Sequence, residues 1–195
     1  ADDAAAIAKE MGYPVVMKIV SKDILHKSDA KAVMVGLENT RDVKSAFKKI
    51  WANAKAYDPD AVLDGVLVQK MVSGGVEVIL GVNRDPKFGH AVMFGLGGIF
   101  VEVYKDVAFR LAPFGRNVAR RMVKSIKGYP LLTGVRGNPP SDIEMLEKNL
   151  VSLRAMVDNH PMIEELDINP LFVHPEGEGT TVADVIIKLD GTVKD

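Results

Sequence analysis

The chain has 195 residues, 47% of them hydrophobic and 26% charged, and a formal net charge of −1, a composition that supports one folded domain or two small lobes with a core needing no disulfides or structural metal. The absence of cysteine excludes zinc–thiolate sites, redox motifs and cysteine nucleophiles, and the near-neutral charge gives none of the basic field that marks nucleic-acid binding. No stretch approaches the ~18 apolar residues that span a bilayer and no basic-then-apolar leader is present, so a cytoplasmic protein with no membrane contact is expected.

A short helical stretch runs from Asp2 to Met11 and is closed by Gly12. Because the chain opens inside this helix, it is expected to lack an N-terminal segment. The β-branched run Val15 to Val20 reads as a buried strand, and a polar loop from Ser21 to Asp29 leads to a second strand at Val33 to Leu37. Thr40 is the expected cap of a helix whose apolar residues (Val43, Ala46, Phe47, Ile50, Trp51, Ala54) recur every three or four positions. Val66 to Val72 and Val76 to Val82, joined by Ser73-Gly74-Gly75, predict a hairpin.

Strands are expected next at 91–94, 99–103 and 107–112, with Gly95-Leu96-Gly97-Gly98 before the second. Helices are expected at 117–127 and 141–159, the latter opened by a Ser141/Glu144 capping box. Ile163 to Ile168, Leu171 to Val173 and Val182 to Leu189 close the chain as a hairpin. Strands and helices mix without a βαβ rhythm, so the predicted class is α+β.

Lys18 stands mid-strand among apolar neighbours. An ammonium there must meet an anion, pair or snorkel, so a phosphate contact and a half-exposed edge position both fit. The glycine run at 95–98 matches neither a dinucleotide-binding nor a P-loop fingerprint. Along 163–169, alternation places Glu165, Asp167 and Asn169 on one face. With a turn centred near residue 177, Asn169 falls opposite Asp184, close enough for two oxygen ligands to share Mg²⁺, although outward polar alternation on a half-exposed sheet gives the same pattern. His26, in the polar loop after the Lys18 strand, can act as a base or accept a phosphoryl group if phosphates lie near. Lys48-Lys49 and Arg120-Arg121 read as solvated helix faces.

The segments GYPVVMKIVS, ILHKSDA, GVLVQKMVSGGVEVILG, NRDPKFG, MFGLGGIFVEVYKDVAFRLAP and ELDINPL occur here in the order seen in ADP-forming acyl-CoA synthetases, which the chain resembles over essentially its whole length. Succinyl-CoA synthetase β subunits are more distant relatives. The resemblance implies an ATP-grasp fold over residues 1–195, with two α+β lobes (about 1–67 and 68–195) holding a nucleotide between antiparallel sheets. It implies that Lys18 binds nucleotide phosphates, that Gln69, Lys70, Met71 and Val72 form the adenine-binding linker, and that Glu77 faces the nucleotide.

Asn169 and Asp184 are similar to the Mg²⁺ ligands of the family. His26 resembles a histidine that relays a phosphoryl group between ADP/ATP and a CoA-binding α subunit or domain carrying a second phosphohistidine, with Asp167 orienting it, in an α2β2 enzyme of the acetate–CoA ligase (ADP-forming) type. Where many members have paired glycines after the His-Lys-Ser-Asp motif, this chain has Ala30-Lys31-Ala32. The rival readings are a catalytically reduced ATP-grasp module of a protein lysine acetyltransferase, a structural subunit without turnover, and succinyl-CoA synthetase itself.

Overall fold

The computed structural model describes residues 1–98, 104–135 and 137–191, and the chain divides into two compact units, Ala1–Met71 and Val72–Asp195. The first unit contains α1 (Asp2–Met11), β1 (Val15–Val20), β2 (Val33–Leu37), α2 (Thr40–Tyr57) and β3 (Gly65–Lys70). Its antiparallel sheet has the order β2-β1-β3, so β1 is central. Val15, Met17 and Ile19 are fully buried and pack with Val43, Ala46, Ile50 and Ala54 of α2 and with Ala4, Ala5 and Ala8 of α1.

Asn39, not Thr40, caps α2. Its side-chain oxygen accepts the Asp42 N–H at 3.0 Å, while the Asp42 carboxylate takes the Asn39 amide at 2.8 Å. This reciprocal pair satisfies an orphan N–H of the first turn and leaves the Thr40 hydroxyl to meet Tyr13 at 3.1 Å.

The second unit contains β4 (Val76–Asp85), β5 (Gly89–Leu96), β6 (Val107–Leu111), α3 (Arg116–Ser125), α4 (Tyr129–Leu132), α5 (Ile143–Asn159), β7 (Ile163–Val173), β8 (Thr180–Val182) and β9 (Val185–Leu189). Its antiparallel sheet runs β6-β5-β4-β7-β8, and β9 also pairs with β7. One face (Val78, Leu80, Val82, Val92, Phe94, Leu96, Leu166) is buried against Met122, Leu146 and Leu150 of α3 and α5. The short α4, carrying Pro130 in its first turn, was not foreseen. The strand expected at 99–103 lies outside the described residues.

The expected hairpin between 66–72 and 76–82 does not form. β3 pairs along its whole length with β1, and β4 lies between β5 and β7 in the other sheet. Gly74 and Gly75 adopt positive φ (73° and 83°), and a Cβ on Gly75 would sit 2.8 Å from the Val173 carbonyl oxygen. The glycines thus serve a connection between units. Turn chemistry reports that a chain bends, not which strand it will pair with.

Two charged groups organise the helices of the second unit. Glu147, only 3% exposed, faces α3, where Arg120 Nε lies at 2.9 Å and Arg116 Nε at 3.1 Å from its carboxylate oxygens. Burial pushes its carboxyl up, but the two guanidiniums outweigh burial and hold it below the usual range. Arg120, expected on a solvated face, therefore has a structural partner.

The cap of α5 is Asp142, one residue past the expected Ser141. Asp142 Oδ1 accepts the Met145 N–H at 2.9 Å, and Oδ2 accepts those of Gly177 (3.2 Å) and Gly179 (3.1 Å) in the β7–β8 turn. Glu144 instead pairs with Arg116 and Lys148. The Met145 N–H, with those of Gly179 and Gly177, overcomes burial and keeps the Asp142 carboxyl below its usual value.

A depressed folded value means that the stabilisation is fully present above the unfolded carboxylate value of ~3.9 and is lost as pH falls through the folded one. Losing a cap costs about 1–2 kcal/mol, so Asp142→Ala should lower Tm by about 3–6 °C at pH 7. The gap to wild type should narrow below about pH 4. Thermal melts from pH 7 to pH 3 check this, and a gap that stays constant to pH 3 would refute the linkage.

Candidate functional site

In the first unit Lys18 lies at the middle of the central strand, in register with Val33 of β2 and Leu67 of β3, and is 6% exposed. The edge-strand reading of this lysine is therefore overturned. Strand alternation puts it on the sheet face opposite Val15, Met17 and Ile19, and so away from α1 and α2. Gln69 pairs with Val16 and shares that face; Lys70 pairs with Val15 and falls on the helix side. The Met71 N–H donates to the Pro14 carbonyl at 3.1 Å, which fixes the end of this strand against the start of β1. Val72 opens the second unit.

His26 sits in the connection from β1 to β2 with its side chain exposed. The connection is anchored rather than loose, because Ile24, Ala30 and Ala32 are 1%, 4% and 0% exposed and belong to the first core. The Ala30 N–H donates to the His26 carbonyl at 3.4 Å, and the Lys31 and Ala32 N–H groups close turns on Ser28 and Lys27 at 2.9 Å each. Lys31 adopts φ 50°, a left-handed conformation that glycine tolerates best.

In the second unit Asp167 pairs with Gly81 on one side and Ile186 on the other. The Asn169 N–H donates to the Asp184 carbonyl at 3.1 Å, and the Ala183 N–H to the Pro170 carbonyl at 3.0 Å, so the expected opposition of Asn169 and Asp184 is present. The regular alternation is not. The buried positions of β7 change from Leu166 to Leu171 and Val173, because Asn169 and Pro170 together oppose Ile79 between the pairs Val78–Leu171 and Leu80–Ile168. This is a bulge, a device that re-aims side chains next to functional sites, and Pro170, lacking an N–H, fits at one.

Glu77 is exposed and pairs with Phe172. The Gly97 N–H donates to its carbonyl at 2.7 Å, and a Cβ on Gly97 would lie 2.9 Å from the Glu77 Cβ. That close approach is the reason for glycine at this point of the Gly95–Gly98 run.

Among the described residues no group of three or more His, Asp or Glu side chains gathers for a metal. A single amide oxygen and a single carboxylate across one strand pair form a donor set suited to Mg²⁺, which is typically completed by water and substrate phosphates. Sequence reasoning allowed for a bulge in this hairpin without placing it, although Pro170 in a strand was its signal, and it gave no role to Ser21 and Asp23.

Two α+β units built on antiparallel sheets, one presenting a buried lysine and the other an amide–carboxylate pair, define the class. A family model of the ATP-grasp domain matches residues 1–189. The β subunit of acetate–CoA ligase (ADP-forming) II from Pyrococcus furiosus is 49% identical over 191 residues, covering 97% of this chain and 81% of that one. The 4-hydroxybutyrate–CoA ligase (ADP-forming) of Nitrosopumilus maritimus is 49% identical over 187 residues, 96% of this chain and 27% of that longer one.

Among solved structures, the dinucleotide-forming acetyl-coenzyme A synthetase 1 of Candidatus Korarchaeum cryptofilum in complex with coenzyme A and Ca-AMPCP superposes with a TM-score of 0.88 at 43% identity, covering 97% of this chain and 82% of that one. A complex of the same enzyme with coenzyme A and Mg-AMPPCP, its phosphohistidine segment pointing towards the nucleotide-binding site, gives 0.77 at 40% identity over the same shares. The chain belongs to the ATP-grasp family, and its relatives at 49% identity include β subunits of ADP-forming acetate–CoA ligases.

Proposed function

We propose that this chain handles the nucleotide in an acid–thiol ligase that interconverts acyl-CoA, ADP and phosphate with acid, CoA and ATP, together with a CoA-binding α partner in an α2β2 assembly of the cytoplasm. The observation that supports the reading most directly is Lys18, an ammonium almost removed from solvent on the helix-free face of a central strand. Nucleotide phosphates are its proposed ligand, in keeping with the match of the ATP-grasp domain over residues 1–189. Gln69 on the same face, Met71 and Val72 beyond it, and the backbone of Lys70 receive the base, and Glu77 is a further nucleotide contact. The protein lysine acetyltransferase alternative draws no support from relatives named as ligases.

In the proposed relay a ring nitrogen of His26 attacks phosphorus on the partner's phosphohistidine, so that one P–N bond forms as the other breaks. A terminal oxygen of ADP then attacks phospho-His26, the P–N bond breaks, and ATP leaves with the imidazole restored. Asp167 orients the ring. Asn169 and Asp184 hold Mg²⁺, which when bound neutralises phosphate charge.

Removing both metal-binding side chains (Asn169→Ala with Asp184→Ala) should abolish the Mg²⁺-dependent part of ADP affinity. Charge-assisted contacts of ~1.5–3 kcal/mol correspond to about 10- to 100-fold in Kd. Titration of ADP with Mg²⁺ and with EDTA reads this out. A Mg²⁺ increment equal to wild type would remove both residues from the metal site.

A further inference from the structure

The residues between β1 and His26 make a set of contacts that neither nucleotide nor metal binding uses. Ser21 Oγ donates to the Val62 carbonyl at 2.7 Å and accepts the Asp23 N–H at 3.1 Å. The Val62 N–H in turn donates to Asp23 Oδ2 at 2.7 Å. Beside them the Asp64 N–H donates to the Val20 carbonyl at 2.9 Å. Both backbone polar groups of Val62, a solvent-facing residue that is 65% exposed, are thereby engaged by two side chains at the start of the His26 connection. One residue past Asp23 the chain dives into the core at Ile24, and it returns at Ala30 and Ala32, where the Ile19 N–H donates to the Ala32 carbonyl at 2.9 Å. On the far side Asn53 of α2 donates its amide to the Lys31 carbonyl at 2.8 Å. His26 is thus carried at the crest of an arch pinned at both feet.

We propose that Asp23, with Ser21, is a positioning residue for phosphoryl transfer at His26. It touches neither phosphate nor imidazole, and acts by holding the arch against the segment that leads into β3. The inference rests on the relay proposed above. Transfer between two nitrogens, or from nitrogen to a phosphate oxygen, demands in-line approach, and a misplacement of about 1 Å costs about 100-fold in rate. An exposed loop fixed only by its own turns would not meet that tolerance. Asp23 supplies a carboxylate bond that ties the arch to a different part of the chain, 39 residues away in sequence.

The test uses the full chain reconstituted with its CoA-binding partner. Single-turnover labelling follows phospho-His26 formed from Mg-ATP labelled in its terminal phosphate, and its discharge to the partner. Asp23→Ala is expected to slow both steps by about 10- to 100-fold with ADP affinity unchanged, while Asp23→Asn, which keeps one acceptor oxygen for the Val62 N–H, recovers most of the rate. Labelling of Asp23→Ala at the wild-type rate overturns the proposal while leaving the relay intact. Loss of rate in step with loss of ADP affinity, without rescue by asparagine, also overturns it, because that marks general loosening of the first unit. Absence of label on His26 in the wild-type assembly removes the relay itself.

Discussion

Lys18→Met is expected to weaken Mg-ADP and Mg-ATP binding by about 100-fold or more while leaving the first unit folded. The side chain lies on the central strand, 6% exposed, in register with Val33 and Leu67. Methionine keeps an unbranched stem of similar length and removes only the ammonium, so the packing cost is small. In the proposed role the charge it removes makes charge-assisted bonds to phosphate oxygens in a site poorly reached by water, where each is worth about 1.5–3 kcal/mol. Two such bonds are enough for the expected change in Kd.

Calorimetric titration at constant ionic strength measures the effect, alongside a melting curve without nucleotide. A variant that melts like wild type and binds Mg-ADP equally well would show that this lysine faces something other than the nucleotide. A variant that no longer melts cooperatively would call for Lys18→Gln, which retains a hydrogen-bond donor and separates folding from binding.

The parts of the fold that were readable in the sequence are those set by local periodicity. Val15 to Val20 reads as a buried strand because it is a short β-branched apolar run, and α2 as a helix because its apolar positions recur at helical spacing. The C-terminal hairpin was readable to the register, because Pro175 to Gly179 fixes the turn and hence the opposition of Asn169 and Asp184.

What was not readable depends on partners distant in sequence. The pairing of β3 with β1 rather than β4 is decided by two separate sheets, which Ser73-Gly74-Gly75 does not encode. The cap of α5 moves from Ser141 to Asp142 because the carboxylate also serves Gly177 and Gly179, N–H groups more than thirty residues away. Arg120 looks like a surface charge until α5 brings Glu147 beneath it. At Lys31 the departure from paired glycines has a local meaning: one residue adopts the left-handed conformation at a cost of about 1 kcal/mol, while the flanking alanines fill buried positions.

His26→Ala should reduce net acyl-CoA turnover by about a thousandfold or more, the scale seen when an obligatory nucleophile is deleted, with nucleotide affinity and melting temperature unchanged. The separation is expected because the imidazole is exposed and the arch beneath it is held by Ile24, Ala30, Ala32 and the Asp23–Val62 bond. None of these contacts uses the ring. The relay further requires a covalent intermediate with a chemical signature: a P–N bond stable in alkali and broken in acid, carried by the peptide that contains residue 26.

Incubation with terminally labelled Mg-ATP should therefore place acid-labile phosphate on that peptide in wild type and none there in the variant. If His26→Ala kept full turnover, the partner's phosphohistidine would have to pass its phosphoryl group straight to ADP. This chain would then supply only the nucleotide and metal contacts of Lys18, Asn169 and Asp184. The two routes also differ in isotope exchange. A phosphorylated intermediate on this chain permits exchange between ADP and ATP in the absence of the partner, and direct transfer permits none.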